Sequence, residues 1–148
     1  MINDKLILSC VLFFTTLVSS FAQAGTLKRE DDLRPFVDSV MKNVASGDLQ
    51  SAFETMRPFI VISENELQSA ALASKTQREQ FGNRYGKTIG TEFIAQQKVG
   101  DSLVRIIYIE KTEKHALPWY FYFYKSQMGW VLNTFNWNDQ MPALFIGK

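Results

Sequence analysis

The period of the apolar positions divides this chain in two. Up to residue 85 they recur every three or four places, and from residue 91 to residue 137 they alternate. Phe36, Val37, Val40, Met41 and Val44 form one helical stripe, with Asp32 as N-cap, Pro35 in the first turn and Gly47 as the stop. Asp48 caps a shorter helix that turns Leu49, Ala52, Phe53 and Met56 inward and ends at Pro58. Residues 59–62 read as a buried connector or a short strand. Ser63-Glu64-Asn65-Glu66 is a capping box. The helix it opens points Leu67, Ala70, Ala71, Phe81 and Tyr85 inward, and its polar middle, residues 74–80, is expected to face water. Gly82, Gly86 and Gly90 mark its exit.

Four β-prone runs follow, at residues 91–99, 103–111, 119–125 and 130–137, joined by short polar turns. Runs spaced so closely predict an antiparallel meander. Helices first and strands second predict an α+β fold, with three N-terminal helices packed on a curved, mainly four-stranded antiparallel sheet. The polar segment 25–31 is expected to be disordered.

Period two also predicts the faces of that sheet. A two-residue turn at Glu113-Lys114 sets Tyr108 opposite Trp119, Ile106 opposite Phe121 and Val104 opposite Phe123. A three-residue turn at 126–128 then adds Val131, Asn133 and Phe135 to the same face. That face is nearly all apolar, so the stripe of Phe36, Val40 and Val44 should cover it. The opposite face carries Arg105, Ile107, Tyr120, Tyr122, Tyr124, Trp130, Leu132 and Thr134. Buried phenols require partners, and aromatic surfaces with an arginine favour interfaces and wet pockets. Arg105, Tyr120, Tyr122, Tyr124, Trp130 and Thr134 are therefore the candidate ligand-binding or interface residues. With the helices committed to the other side, a homodimer interface is favoured over a pocket for a small apolar ligand.

Composition narrows the class. A chain of 148 residues, 46% hydrophobic and 14% aromatic, has a core and room for one domain. Its formal charge is +1, and no Lys/Arg cluster accompanies the aromatics, which removes nucleic acid as an expected partner. Lys5, the apolar run 6–18 and Ala22-Gln23-Ala24 make a secretory signal peptide, residues 1–24. The run is too short to span a bilayer well, so a cleaved leader is expected rather than an anchor. Leu8-Ser9-Cys10 resembles a lipidation box, but Cys10 comes too early in the apolar run. The single domain, residues 25–148, is then periplasmic or secreted, with no membrane attachment. Cleavage also removes Cys10, the only cysteine, and with it any disulfide.

Candidate chemistry is sparse. Gly82-Asn83-Arg84-Tyr85-Gly86-Lys87-Thr88 is one residue short of a P-loop and runs from helix to strand, the wrong order. His115, the sole histidine, reads as a solvated turn residue, and one histidine without cysteine excludes a structural zinc site. Glu92, Asp101, Glu110, Glu113 and Asp139 all read as strand-end or turn residues rather than buried bases. No catalytic residue, metal or cofactor is expected.

Four stretches of the chain carry a family resemblance. They are the break Ser46-Gly47-Asp48-Leu49, the run Trp119-Tyr120-Phe121-Tyr122-Phe123-Tyr124, Gly129-Trp130-Val131-Leu132-Asn133 and Phe135-Asn136-Trp137-Asn138-Asp139. Together they resemble small secreted bacterial members of the nuclear transport factor 2-like superfamily, the cystatin-like cone fold, across residues 33–145. The resemblance implies a helix-covered cone with a self-associating sheet. It implies either binding without catalysis or, as the alternative, a ketosteroid isomerase- or polyketide cyclase-like enzyme using a cavity tyrosine. Such an enzyme needs a buried carboxylate within hydrogen-bond reach of that tyrosine.

Overall fold

Helix α1 (Leu33–Ala45) buries Leu33, Phe36, Val37, Val40, Met41 and Val44 along one side, as its spacing requires. The computed structural model describes residues 25–146, so the signal peptide expected at 1–24 lies outside the described residues. Asp32 does not cap α1 with its side chain. It accepts a 3.0 Å bond from the Arg29 amide instead. Helix α2 (Leu49–Met56) starts at Asp48, whose carboxylate takes the Ser51 amide at 3.0 Å, and buries Ala52, Phe53 and Met56. Helix α3 (Glu64–Tyr85) opens with the reciprocal capping box of Ser63 and Glu66. It ends at Gly86, whose φ of 85° a side chain would strain, and where a Cβ would also strike the Glu113 side chain.

The sheet is a four-stranded antiparallel meander in the order β1 (Thr88–Val99), β2 (Leu103–Thr112), β3 (Ala116–Ser126), β4 (Gly129–Trp137). It does not close into a barrel. The architecture is α+β, three helices and then four strands, in the predicted order. Expectation and structure agree on the β2–β3 register: Tyr108 faces Trp119, Ile106 faces Phe121 and Val104 faces Phe123. The Thr112 amide bonds the His115 carbonyl at 2.8 Å, closing the two-residue turn.

The third turn departs from expectation. Ser126 pairs with Gly129, leaving Gln127 and Met128 as a two-residue turn, so the start of β4 is displaced by one. Trp130 and Leu132 therefore point to the helices, and Val131 and Asn133 do not. A bulge at Asn133 restores the parity, so Thr134 opposes Tyr122 and Phe135 opposes Phe121. Two departures of one residue cancel.

The core lies between the helices and one face of the sheet. Three cross-strand rows build that face: Tyr108, Trp119 and Trp137; Ile106, Phe121 and Phe135; Val104, Phe123 and Leu132. Trp119 stacks on Trp137 with ring centres 5.4 Å apart, and Phe36 meets Phe59 and Phe123 edge-on. Two short segments cap the outer edge of β4. Leu27 exchanges backbone bonds of 2.9 and 2.8 Å with Trp130, and Ile60 bridges Leu132. The start of segment 25–31 is thus paired, contrary to the disorder expected for it.

Candidate functional site

The face of the sheet turned away from the helices is also built in rows. Ala95, Ile107, Tyr120 and Asn136 form the first, and Gln97, Arg105, Tyr122 and Thr134 the second. Val99, Leu103, Tyr124 and Val131 form the third. Five of the six candidates, Arg105, Tyr120, Tyr122, Tyr124 and Thr134, share this face. Trp130 does not: it sits among the helices at 2% exposure, because the shortened turn reverses its direction.

The outer face is not bare. Beyond Trp137 the chain turns, with the Gln140 amide bonding the Asn138 side chain at 2.8 Å. A 3-10 turn, Met141–Phe145, then lies against β3. This cover leaves Ile107 and Tyr120 buried and Tyr122 half-buried. Beneath it is a cleft of about 420 Å³, lined by the first two rows except Thr134, together with Ile94, Asn138, Ala143, Leu144 and Ile146. Its size falls in the range of small-molecule sites. Arg105 is braced across the strand by the Gln97 carbonyl oxygen, which accepts from Nε at 2.7 Å and also from Nη2. Burial, and then the neighbouring Tyr122, raise the Tyr120 phenol, while Arg105 pulls it the other way. Tyr120 is thus a neutral O–H donor near neutral pH. In the third row Val99, Leu103 and Tyr124 are exposed.

A second polar site lies on the core side of the sheet, and the sequence reading missed it. Glu110 is fully buried. Its carboxylate accepts from the Arg78 guanidinium, from the Thr88 hydroxyl and, at 3.2 Å, from Trp119 Nε1. One turn before Arg78, Ser74 is buried and accepts from Trp137 Nε1 at 2.9 Å. The middle of α3 therefore faces inward at Ser74 and Arg78 rather than wholly to water. Two open clefts of about 590 and 670 Å³ meet at Arg78, one along α2 and α3, the other toward Lys87 and Glu113. They are larger than the outer cleft, but the guanidinium between them is already spent on Glu110.

Two phenols away from this face have carboxylate partners. Tyr108 donates to Asp38 of α1, and burial, with that bond second, pushes its phenol up to about 12. Asp38 itself is exposed. Tyr85 donates to Asp139 at 3.0 Å and stacks on His115, ring centres 4.2 Å apart. His115 Nε2 lies 3.1 Å from the Asp139 carbonyl oxygen. His115 is thus a half-buried clamp holding the end of α3 to the exit of β4, not a solvated turn residue. Burial works to raise the Asp139 carboxyl, and the bonds from Tyr85 and Gln140 outweigh it and hold it below the usual carboxylate range.

Gly82 lies inside α3, and the helix passes through Gly86 into β1. The P-loop-like string therefore runs from helix to strand, as read from the sequence. Among the described residues no cluster of His, Cys, Asp and Glu has the makings of a metal site. Among them too, no helix is long and apolar enough to cross a membrane. No family model, curated protein or solved structure matches this chain.

Proposed function

We propose that this chain is an exported, non-enzymatic binding domain of nuclear transport factor 2-like type that takes a small amphipathic ligand on the outer face of its sheet. One observation carries the reading. Tyr120, Tyr122 and Arg105 converge in a half-roofed cleft whose remaining walls are largely aliphatic. Pockets that bind small molecules combine apolar walls with placed polar groups, and this cleft has both, its polar surface being the greater. The enzyme alternative asks for a free buried carboxylate beside a cavity tyrosine. Here the two halves of that requirement are separated. The buried carboxylate, Glu110, already takes three donors, and the carboxylate beside Tyr108 is exposed. Asp139, beside Tyr85, is half-buried and takes donors from Tyr85 and Gln140, away from the cleft.

Native mass spectrometry of the protein purified from the compartment it is exported to tests the proposal. The expected result is a copurifying small molecule that Tyr122→Ala sheds while the protein stays folded. A wild-type protein that flies bare, or an adduct indifferent to Tyr122→Ala, would refute the cleft as the site.

A second reading, self-association, draws on the third row. Val99, Leu103 and Tyr124 stand in cross-strand register and are exposed, at 69%, 48% and 45%. A contiguous apolar row on a sheet face is a surface that a second copy of the chain would cover. Leu103→Asp should then convert a concentration-dependent dimer to a monomer in sedimentation equilibrium. A wild-type protein that is monomeric at all concentrations rules this out.

A further inference from the structure

We infer that the ligand of the outer cleft is a monoanion, an aliphatic or aromatic carboxylate whose headgroup sits on Arg105. The inference rests on the proposal that this cleft binds an amphipathic molecule, and it adds the chemistry of the head. Arg105 is the sole charged side chain among the lining residues, and no Asp or Glu lines the cleft. Elsewhere Arg29, Arg57 and Arg78 each pair with a carboxylate. Arg105 is held by the neutral oxygen of Gln97 instead. That brace fixes the guanidinium through Nε and one hydrogen of Nη2 without neutralising it, so the Nη1–Nη2 edge and the charge remain for a guest. Guanidinium is the side chain best matched to a planar carboxylate, because its parallel N–H groups meet both oxygens.

The neighbours complete a one-sided donor set. Tyr122 lies directly across from Arg105, and Tyr120 one row on, where its phenol keeps its proton. Both hydroxyls can donate to an anion, and the Asn136 amide stands across from Tyr120. A single positive charge with hydroxyl and amide donors suits one negative charge and not a phosphate dianion. The apolar remainder of the wall, Ile94, Ile107, Leu144 and Ile146, gives a hydrocarbon tail a path beneath the 3-10 turn.

Three ten-carbon probes test the head separately from the tail: decanoate, decan-1-ol and decyltrimethylammonium, each titrated calorimetrically below its micelle concentration. Decanoate should bind at least about tenfold tighter than decanol, a margin of about 1.4 kcal/mol. Arg105→Gln should erase that margin while leaving decanol binding in place, and Leu144→Asp should weaken decanoate and decanol. Equal affinity for decanoate and decanol, or a margin that survives Arg105→Gln, overturns the carboxylate assignment and leaves the cleft standing. Decyltrimethylammonium as the tightest probe overturns it as well. If no probe binds, or Leu144→Asp weakens neither decanoate nor decanol, the cleft itself is not a binding site and both readings fall. Circular dichroism of each variant confirms that loss of binding is not loss of fold.

Discussion

The buried pair Glu110–Arg78 makes the sharpest demand on this structure, because its two members differ in access to water. The Glu110 side chain has no exposure, whereas Arg78 keeps 19%. Breaking a buried ion pair costs about 3–5 kcal/mol, chiefly by stranding the partner that remains. In Glu110→Ala the stranded cation can swing into the adjoining clefts and hydrate. What stays behind is the buried Trp119 Nε1–H, which loses its acceptor at a cost of about 1–3 kcal/mol. Lost packing brings the expected total to about 3 kcal/mol. In Arg78→Ala the stranded group is the carboxylate, with the Thr88 hydroxyl and the indole as its only donors. That places the cost near the top of the range, about 5 kcal/mol. Replacing both by leucine removes both charges and should lie within about 2 kcal/mol of wild type.

Urea unfolding followed by tryptophan fluorescence measures all three, since Trp119 touches the pair directly. The ordering decides the matter. If Glu110→Ala costs as much as Arg78→Ala, the difference in exposure is not what sets the energy. If both cost under about 1 kcal/mol, Glu110 is not buried as described. A Glu110→Ala/Arg78→Ala double variant whose cost equals the sum of the two single variants would show that the two side chains do not interact.

Two further perturbations separate the faces and the phenols. Phe121→Ala, at a side chain with no exposure in the middle core row, should destabilise by about 3–5 kcal/mol, whereas Tyr122→Ala on the outer face should cost about 1 kcal/mol. The reverse order in thermal or urea melts would mean that the faces are exchanged. For Tyr108 the neutral phenol is favoured by folding, moving from 10.0 to about 12, so the stabilisation is complete below pH 10 and is lost as pH rises toward 12. The hydroxyl meets an exposed carboxylate, so screening reduces the loss to about 1–2 kcal/mol of unfolding free energy. Tyr108→Phe should flatten that slope, and a variant that keeps it would assign the titration to another group.

The fold was readable where one rule acted alone. In β2 and β3 strict alternation and a two-residue turn determined every facing pair, because period two leaves no other way to bury Ile106, Tyr108, Phe121 and Phe123 together. In β4 two local features acted at once, a turn shorter by one residue and a bulge at Asn133. Neither carries a sequence signal strong enough to place it, and Trp130 changed faces in consequence. Glu110 is a different case, since the signal was present. The parity that turns Val104, Ile106 and Tyr108 inward continues to Glu110 and Thr112, and both are buried. On α3 the stripe of Leu67, Ala70, Ala71, Phe81 and Tyr85 passes through Ser74 and Arg78 at the same three- and four-residue steps. Read by position, those two stripes bring a carboxylate and a guanidinium face to face. Read by polarity, each residue looks solvated. Position prevails because each charge has the other to satisfy it.

The cover on the outer face shows why the tyrosine side was the harder one to read. Alternation states which residues share a face and says nothing of what a later segment lays across it. Here that segment begins at a fixed point. Asp139 is pinned by Tyr85 from α3 and by His115 from the β2–β3 turn, so the chain leaves the sheet at a corner tied to two other elements. From there Met141–Phe145 crosses β3, and its far end ends in exposed Phe145 and Ile146, at 73% and 83%. The roof is thus anchored at one end and solvated at the other. On the proposed reading the head sits on Arg105 and the tail runs beneath the 3-10 turn toward Ile146, whose side chain water already surrounds. The helix-covered core, closed by Trp119, Phe121 and Trp137, need not yield at all. Binding on this face is therefore uncoupled from the interactions that hold the fold together. That separation is what allows Tyr122→Ala and Arg105→Gln to report on ligand while Phe121→Ala reports on stability.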